Sequence, residues 1–215
     1  MIVAISDGAG SACLSHLGST EAIRYLLELI PRSNLNLAEI SKENVKEWLQ
    51  KVLEHLQSVA EREKSPLSEF ACTLLFGIVA ENQSIFCQIG DGGWVVVKND
   101  ELLAVTWPQM GQFANITTFL TTAGALDAMQ FEKIDGKLSA LAGFSDGLQT
   151  LALNFTNRSA HGPFFLPMFD SIKNCDDETS LIAPLQSFLA SEPVAARTED
   201  DKTLVLAFQC EAESH

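Results

Sequence analysis

The sequence has 215 residues, of which 47% are hydrophobic and 20% charged, the composition of a globular chain able to bury one core. Its formal net charge of −14 disfavours binding to nucleic acids or anionic membranes, because both are themselves negatively charged. No apolar run approaches the ~20 residues needed to span a bilayer, and the N-terminus lacks a signal-peptide pattern, so a cytoplasmic protein is the default expectation. The five cysteines never occur in a C-x-x-C spacing, which argues against a zinc site and a disulfide framework.

The first third of the chain predicts one strand and two helices. Ile2 to Ser6 is typical of a short strand that ends at an Asp-Gly pair. The apolar periodicity of Thr20 to Ile30 predicts a helix, with Pro31 beyond its end. A longer helix is expected from about Lys42 to Glu63, with a start signal at Ser41.

The middle of the chain is rich in β-branched and aromatic residues separated by turn residues, which predicts short strands. The first four of these are expected to form an antiparallel meander: Phe70 to Val79, Ser84 to Ile89, Trp94 to Lys98 and Leu102 to Trp107. Two more are expected at Thr117 to Thr121 and Lys137 to Phe144.

The last third predicts helices and one closing strand. A helix is expected after Gly147, two others at Leu166 to Ile172 and Thr179 to Ser191, and the strand at Thr203 to Gln209. Because helices and strands occur in separate blocks, the chain is expected to form an α+β layered fold with an antiparallel sheet. The absence of a linker-like stretch predicts a single domain over residues 1–215.

Four aspartates stand at or near the ends of apolar strands: Asp7, Asp91, Asp146 and Asp200. Taken alone, each is typical of an ordinary turn, because Asp-Gly is a common hairpin signal. After Asp7-Gly8 and Asp146-Gly147, however, a helix or a Gly-rich loop is expected instead of a second strand. A hairpin turn is therefore a poor explanation of these two pairs.

Carboxylates brought together at one edge of a sheet would repel one another in a half-buried site. A hard divalent cation would relieve that repulsion, since Mg²⁺ and Mn²⁺ prefer carboxylate, carbonyl and water oxygens. The carbonyl of Gly8 could also approach an ion closely, because glycine has no side chain. The sequence thus predicts a metal site built from strand-end aspartates.

Five segments, in order along the chain, resemble the motifs of the metal-dependent protein serine/threonine phosphatases of the PPM type (type 2C). The stretch Gly111 to Asn115, followed by Thr117 to Thr121, resembles one bacterial branch of that family. The five segments are Ser6-Asp7-Gly8-Ala9-Gly10-Ser11, Phe70-Ala71-Cys72-Thr73-Leu74-Leu75, Ile89-Gly90-Asp91-Gly92, Phe144-Ser145-Asp146-Gly147-Leu148 and Asp200-Asp201-Lys202-Thr203-Leu204.

The resemblance implies a four-layer α/β/β/α sandwich of two antiparallel sheets flanked by helices. Asp7 would bridge two ions, with the Gly8 carbonyl as a further ligand, while Asp146 and Asp200 would complete the shell of the second ion. Asp91 would lie at a third, weaker metal position. Asp201 replaces the family's usual Asn, which makes Asp200 the expected ligand of that pair. Members of the family also have one or two strands before the first motif, so the N-terminal strands are expected to be missing and to leave an exposed sheet edge.

The implied activity is hydrolysis of phosphoserine and phosphothreonine in proteins, with Asp7, Asp146 and Asp200 acting through a metal-bound water. The expected cofactors are two Mg²⁺ or Mn²⁺ ions, with a third as an option, and the expected partners are a phosphoprotein substrate and a cognate kinase. Arg158 and Arg197 are candidates for phosphate binding by location only.

Two other interpretations stay open. Ala9 stands where some family members carry a histidine, which favours a catalytically impaired domain that binds a regulatory partner. A plain acidic domain whose Asp-Gly pairs are turns is the third interpretation, and the ordered set of motifs disfavours it.

Overall fold

The computed structural model describes residues 1–109 and 117–209. These residues form two compact units. The first unit comprises Met1–Asp91 and Pro108–Lys137, and the second comprises Gly92–Trp107 and the described residues from Leu138 onward. The chain therefore passes from the first unit to the second between Asp91 and Gly92, inside one of the five motif segments.

The strands in chain order are β1 (Ile2–Ile5), β2 (Leu74–Val79), β3 (Gln83–Ile89), β4 (Gly93–Lys98), β5 (Glu101–Ala104), β6 (Gln130–Asp135), β7 (Ala140–Phe144), β8 (Leu153–Asn154), β9 (Ser159–Ala160) and β10 (Leu204–Phe208). The α-helices are α1 (Ser15–Arg32), α2 (Lys42–Arg62), α3 (Ala125–Ala128), α4 (Gln149–Ala152), α5 (Gly162–Lys173), α6 (Ile182–Leu189) and α7 (Glu192–Ala195). Within the described ranges, no helix is both long and apolar enough to cross a bilayer.

The first unit is an antiparallel sheet covered by two long helices. Its strand order is β1-β2-β3-β6, so β1 and β6 are the edge strands. Leu26 of α1 and Leu49 of α2 are fully buried in one cluster with Phe76 of β2 and Cys87 of β3. Burial of these apolar faces is what holds the helices against the sheet.

Helix α2 follows from its local sequence. The Ser41 side chain accepts a hydrogen bond from the backbone N–H of Asn44, and the Asn44 side chain accepts one from the backbone N–H of Ser41, which makes a capping box. Its buried residues recur at helical spacing. Val45, Trp48, Leu49, Val52 and Leu56 lie in one cluster with the sheet, whereas Val59 and Ala60 pack with Phe70. The helix predicted here is confirmed.

Helix α1 differs from its prediction at both ends. It begins at Ser15 because the backbone N–H of Leu14 donates to the Glu69 carbonyl at 3.0 Å, a tertiary contact that local sequence does not record. It also includes Pro31, so the prediction that Pro31 lies beyond the end was wrong. A proline in the last turn removes one backbone hydrogen bond without preventing the helical φ of its own residue.

The second unit has its own sheet, with strand order β10-β7-β4-β5 and antiparallel pairing throughout. Phe165 and Phe169 of α5 are buried in a cluster with Phe144 of β7 and Val95 of β4. The short strands β8 and β9 form a separate hairpin. The predicted α+β class, with two antiparallel sheets flanked by helices, is confirmed.

The predicted meander was wrong at Gly92-Gly93. Strand β3 pairs with β2 and β6 in the first unit, whereas β4 pairs with β5 and β7 in the second. Gly90 and Gly92 adopt φ values of +104° and +101°, a left-handed region that only glycine enters readily. The chain uses this irregular connection to leave one sheet and enter another, which a regular hairpin turn would prevent.

The predicted strand at Thr117 to Thr121 was also wrong. Leu120 is fully buried in the core of the first unit, and its N–H donates to the Cys72 carbonyl at 2.7 Å. The chain then turns, with the N–H of Thr122 donating to the Phe119 carbonyl. The strand next to β3 is instead β6, which the sequence pattern did not reveal because most of its residues are half-buried or exposed and do not alternate cleanly.

Candidate active site

Asp7 lies immediately after β1 in a segment held against the beginning of β2. The backbone N–H of Asp7 donates to Oγ1 of Thr73 at 2.9 Å, and the Thr73 N–H donates to the Asp7 carbonyl at 2.8 Å. Gly8 forms an antiparallel bridge with Cys72, and the N–H of Ala9 donates to the Ala71 carbonyl at 2.9 Å. Pairing therefore continues past the strand end and fixes the backbone of Asp7-Gly8.

The turn that carries Asp91 packs against Thr73. A Cβ atom on Gly90 would lie 2.6 Å from Cγ2 of Thr73, so only glycine fits at this position. The hydroxyl of Thr117 donates to Oδ2 of Asp91. Three of the five motif segments thus meet at Thr73 within the first unit.

Cys72 is the thiol closest to this arrangement. The pKa of the Cys72 thiol is raised to about 11, mainly by burial and also by the negative charge of Asp7, although a hydrogen bond with Ser6 lowers it. The free thiol is therefore protonated at neutral pH and is a poor nucleophile.

Asp146 begins the turn after β7 in the second unit. Its Oδ1 accepts a hydrogen bond from the Gly147 N–H at 2.7 Å. Ser145, which is buried, ties this turn to the start of β10: its N–H donates to the Thr203 carbonyl, and its Oγ accepts from the Thr203 N–H, both at 3.1 Å. The turn is a 3-10 turn over Asp146–Leu148 that leads directly into α4, so the prediction that Asp146-Gly147 is not a hairpin is confirmed.

The segment with Asp200 and Asp201 lies against the Asp146 turn. A Cβ atom on Gly147 would lie 2.2 Å from the Asp201 carbonyl oxygen, and the Ser145 hydroxyl donates to the same oxygen at 3.3 Å. Both Asp200 and Asp201 are exposed. The N–H of Asp201 donates to Oδ1 of Asp200 at 3.1 Å. The fourth and fifth motif segments therefore meet in the second unit, as the first three meet in the first.

Three ionisable residues outside the motif segments take no part in these two arrangements. His55 is half-buried between α1 and α2, with Nε2 at 2.6 Å from Oε2 of Glu21 and its ring stacked on Tyr25 at a centroid separation of 4.4 Å. Arg158 is exposed, and its guanidinium carbon lies 5.4 Å from the centre of the Trp107 ring. Arg197 is also exposed.

Within either unit, among the described residues, no three His, Cys, Asp or Glu side chains form a group that could hold a metal ion. The predicted ligands are divided between the units: Asp7, Gly8 and Asp91 belong to the first, Asp146 and Asp200 to the second. The branch-specific stretch Gly111 to Asn115 lies outside the described residues. Sequence reasoning missed the anchoring roles of Thr73 and Ser145, although both lie inside the motif segments that drew attention to the aspartates.

Comparison with known proteins identifies the class of this protein. The family model described as Protein phosphatase 2C matches residues 1–190, so the chain belongs to that family. It is 34% identical to Serine/threonine-protein phosphatase 3 of Escherichia coli (strain K12), over 97% of this chain and 84% of the relative.

Solved structures of bacterial phosphatases share the fold at low sequence identity. Stp1 from Staphylococcus aureus aligns with a TM-score of 0.69 and 14% identity, covering 98% of this chain and 84% of Stp1. The catalytic domain of PstP, a serine/threonine phosphatase known from Mycobacterium tuberculosis, aligns with a TM-score of 0.64 and 15% identity, covering 95% of this chain and 85% of that one. That PstP structure is a complex with two manganese ions.

Proposed function

We propose that this protein hydrolyses phosphoserine and phosphothreonine in phosphoproteins with the help of two Mg²⁺ or Mn²⁺ ions. Asp7, Asp146 and Asp200 would be the carboxylate ligands, the Gly8 carbonyl a further ligand, and Asp91 the ligand of a third, weaker position. The observation that carries the proposal is the anchoring of Asp7 and Asp146, each in a turn hydrogen-bonded to a neighbouring strand segment. Such anchoring keeps a ligand in place before the ion binds, which is a requirement of an effective site.

The donor set fits a hard divalent cation. The proposed ligand atoms are carboxylate oxygens of Asp7, Asp91, Asp146 and Asp200 and the carbonyl oxygen of Gly8. Mg²⁺ and Mn²⁺ favour oxygen ligands of this kind, whereas zinc sites more often use thiolate or imidazole. The residues present therefore agree with the cations that the family resemblance implies.

Bound divalent ions would supply an activated water and offset charge on the phosphoryl oxygens. The chain's own residues position the proposed ligands. Thr73 holds the backbone of Asp7, and Ser145 holds the turn of Asp146 against the segment of Asp200. A misplacement of about 1 Å in such an arrangement can reduce the rate ~100-fold.

The relatives favour an enzyme over a regulatory binding module. The Escherichia coli relative is named a serine/threonine-protein phosphatase, and its similarity extends over 97% of this chain. A domain that had lost catalysis would no longer need several strand-end carboxylates, because without a cation they only repel one another. The proposed substrate is accordingly a phosphoprotein.

The test is hydrolysis of a phosphothreonine peptide with Mn²⁺, with Mg²⁺ and with a chelator. We expect activity with at least one of the two ions and none with the chelator. Asp146→Asn should lower the rate at least ~100-fold, since loss of a ligand removes several kcal/mol of charge stabilisation in the transition state. Asp170→Asn, on the exposed side of α5, is the matched control and should retain activity.

Two results would count against the proposal. Hydrolysis that persists in chelator would contradict the role of divalent ions while leaving the phosphatase activity in place. A folded protein with no hydrolysis in either ion would instead favour the regulatory module.

A further inference from the structure

The Asp91 side chain is hydrogen-bonded to a residue that is distant from it in the sequence. The hydroxyl of Thr117 donates a hydrogen bond to Oδ2 of the Asp91 carboxylate. The two residues are 26 positions apart in the sequence, so this contact belongs to tertiary structure and not to the turn. A hydroxyl donating to a carboxylate is a charge-assisted hydrogen bond, stronger and more orienting than a neutral one.

Gln109 holds the backbone of the same turn. Its Oε1 accepts from the Gly90 N–H at 2.9 Å, and its own N–H donates to the Gly90 carbonyl at 3.2 Å. The Nε2 atom of the same side-chain amide donates to the carbonyl of Ala128, the last residue of α3. The backbone N–H and the backbone carbonyl of Gly90, the residue before Asp91, thus both bond to one glutamine.

Thr117 belongs to a segment that is itself anchored. Thr117 lies three residues before Leu120, whose side chain is fully buried and whose N–H donates to the Cys72 carbonyl at 2.7 Å. The carbonyl of Thr118 is 3.3 Å from the position a Cβ atom would occupy on Gly90, so this segment packs directly on the turn. Because the Thr117 segment is held in place, its hydroxyl also restricts the movement of the Asp91 carboxylate.

We infer that Thr117 and Gln109 form a clamp that orients the Asp91 carboxylate for a divalent cation, Thr117 acting on the side chain and Gln109 on the backbone. The inference rests on the proposed function, because it requires Asp91 to be a cation ligand. Side chains that hydrogen-bond to a ligand commonly change metal affinity ~10- to 100-fold when they are lost. Thr117 and Gln109 are positioning residues in this scheme and have no direct part in hydrolysis.

The test measures Mn²⁺ binding by electron paramagnetic resonance, which counts free ions without requiring activity. The Mn²⁺ binding that is lost in Asp91→Asn is assigned to the site at Asp91. Thr117→Val keeps the shape of the side chain and removes the hydroxyl, and it should weaken that site ~10-fold or more. Thr117→Ser keeps the hydroxyl and should bind Mn²⁺ as the unmodified protein does. In the Asp91→Asn background, Thr117→Val should have no further effect.

Gln109→Ala is tested by hydrogen exchange. Loss of the acceptor should speed exchange of the Gly90 amide, and the same variant should weaken the Asp91-dependent site. Gln57→Ala, a glutamine on the exposed side of α2, is the control and should change neither quantity.

The outcomes separate this inference from the proposed function. If Asp91→Asn loses a Mn²⁺ site while Thr117→Val binds normally, the clamp is overturned and the metal-dependent phosphatase stands. If Asp91→Asn loses no site while Asp146→Asn still does, Asp91 is no ligand and the clamp is again overturned. If the unmodified protein binds no Mn²⁺ at all, the proposed function and the clamp both fail.

Discussion

Thr73 shows how one residue can organise several motif segments. It is buried, its Oγ1 accepts from the Asp7 N–H, and its methyl group occupies the space that a side chain at Gly90 would need. Ser145 has a comparable place in the second unit, where its hydroxyl contacts both the Asp201 carbonyl and the Thr203 N–H. Each hydroxyl supplies a hydrogen-bond partner to backbone groups that are only partly exposed to water.

Gly147 has no room for a side chain. A Cβ atom there would lie 2.2 Å from the Asp201 carbonyl oxygen, so Gly147→Ala must push the Asp146 and Asp200 segments apart. We expect a loss of ~1–3 kcal/mol in the free energy of unfolding, measured in urea, together with weaker Mn²⁺ binding. Gly10→Ala is the control, because a Cβ atom at Gly10 would meet no atom within 4 Å. Equal stability of the two variants would contradict the close approach.

At the scale of elements, α1 and α2 are joined by a polar cluster at the edge of their interface. Glu21 of α1 is 2.6 Å from Nε2 of His55 on α2 and 2.5 Å from a guanidinium nitrogen of Arg24. Tyr25 stacks on the His55 ring, and Arg24 also pairs with Glu28. The pKa of the Glu21 carboxyl is lowered, first by its hydrogen bond with Arg24 and then by that with His55.

This cluster predicts a dependence of stability on acid pH. Because the pKa of Glu21 is lower in the folded state than its ordinary value of 4.5, its contribution to stability is present above pH 4.5 and lost as the pH falls through the lowered pKa. Glu21→Gln should therefore reduce the decline in unfolding free energy below pH 4.5. Urea titration at several pH values measures this decline. Glu47→Gln, an exposed carboxylate of α2, should leave the decline unchanged. An unaltered decline in Glu21→Gln would show that other carboxylates account for it.

At the scale of the whole molecule, the chain forms two units with separate sheets and cores, and each unit contains some of the proposed ligands. Asp7 and Asp91 belong to the unit with helices α1 and α2, while Asp146 and Asp200 belong to the unit with α5. A ligand that binds only the folded protein stabilises it by mass action. Cation binding at the proposed site should therefore raise the stability of the chain as a whole.

Thermal unfolding in Mn²⁺ and in chelator tests this expectation. At a Mn²⁺ concentration ~100 times the Kd, the gain should be about 2.7 kcal/mol, seen as a higher Tm. Asp146→Asn should lose most of the gain, and Asp170→Asn should keep it. A gain of equal size in both variants would show that Mn²⁺ stabilises the protein somewhere other than at the proposed ligands.

The sequence by itself determined the elements whose signals are local. Helix α2 has its cap at Ser41 and its apolar stripe within one stretch of chain, and the strands ending at Asp7 and Asp146 are short apolar runs bounded by glycine. The aspartates could be singled out for the same reason, because an Asp-Gly pair followed by a helix is visible in the letters alone. The ordered motifs were enough to indicate the family, which the comparisons confirm.

Only the tertiary structure decided which segments became neighbours. The start of α1 depends on a hydrogen bond from Leu14 to Glu69, and the assignment of β3 and β4 to different sheets depends on pairing with β6 and β7. The contact of Thr117 with Asp91 likewise has no local signal. Sequence patterns record which faces are apolar and where turns are easy, whereas partners are chosen by long-range hydrogen bonds and burial that no short window contains. The strand-end aspartates were therefore predictable, but the residues that hold them were not.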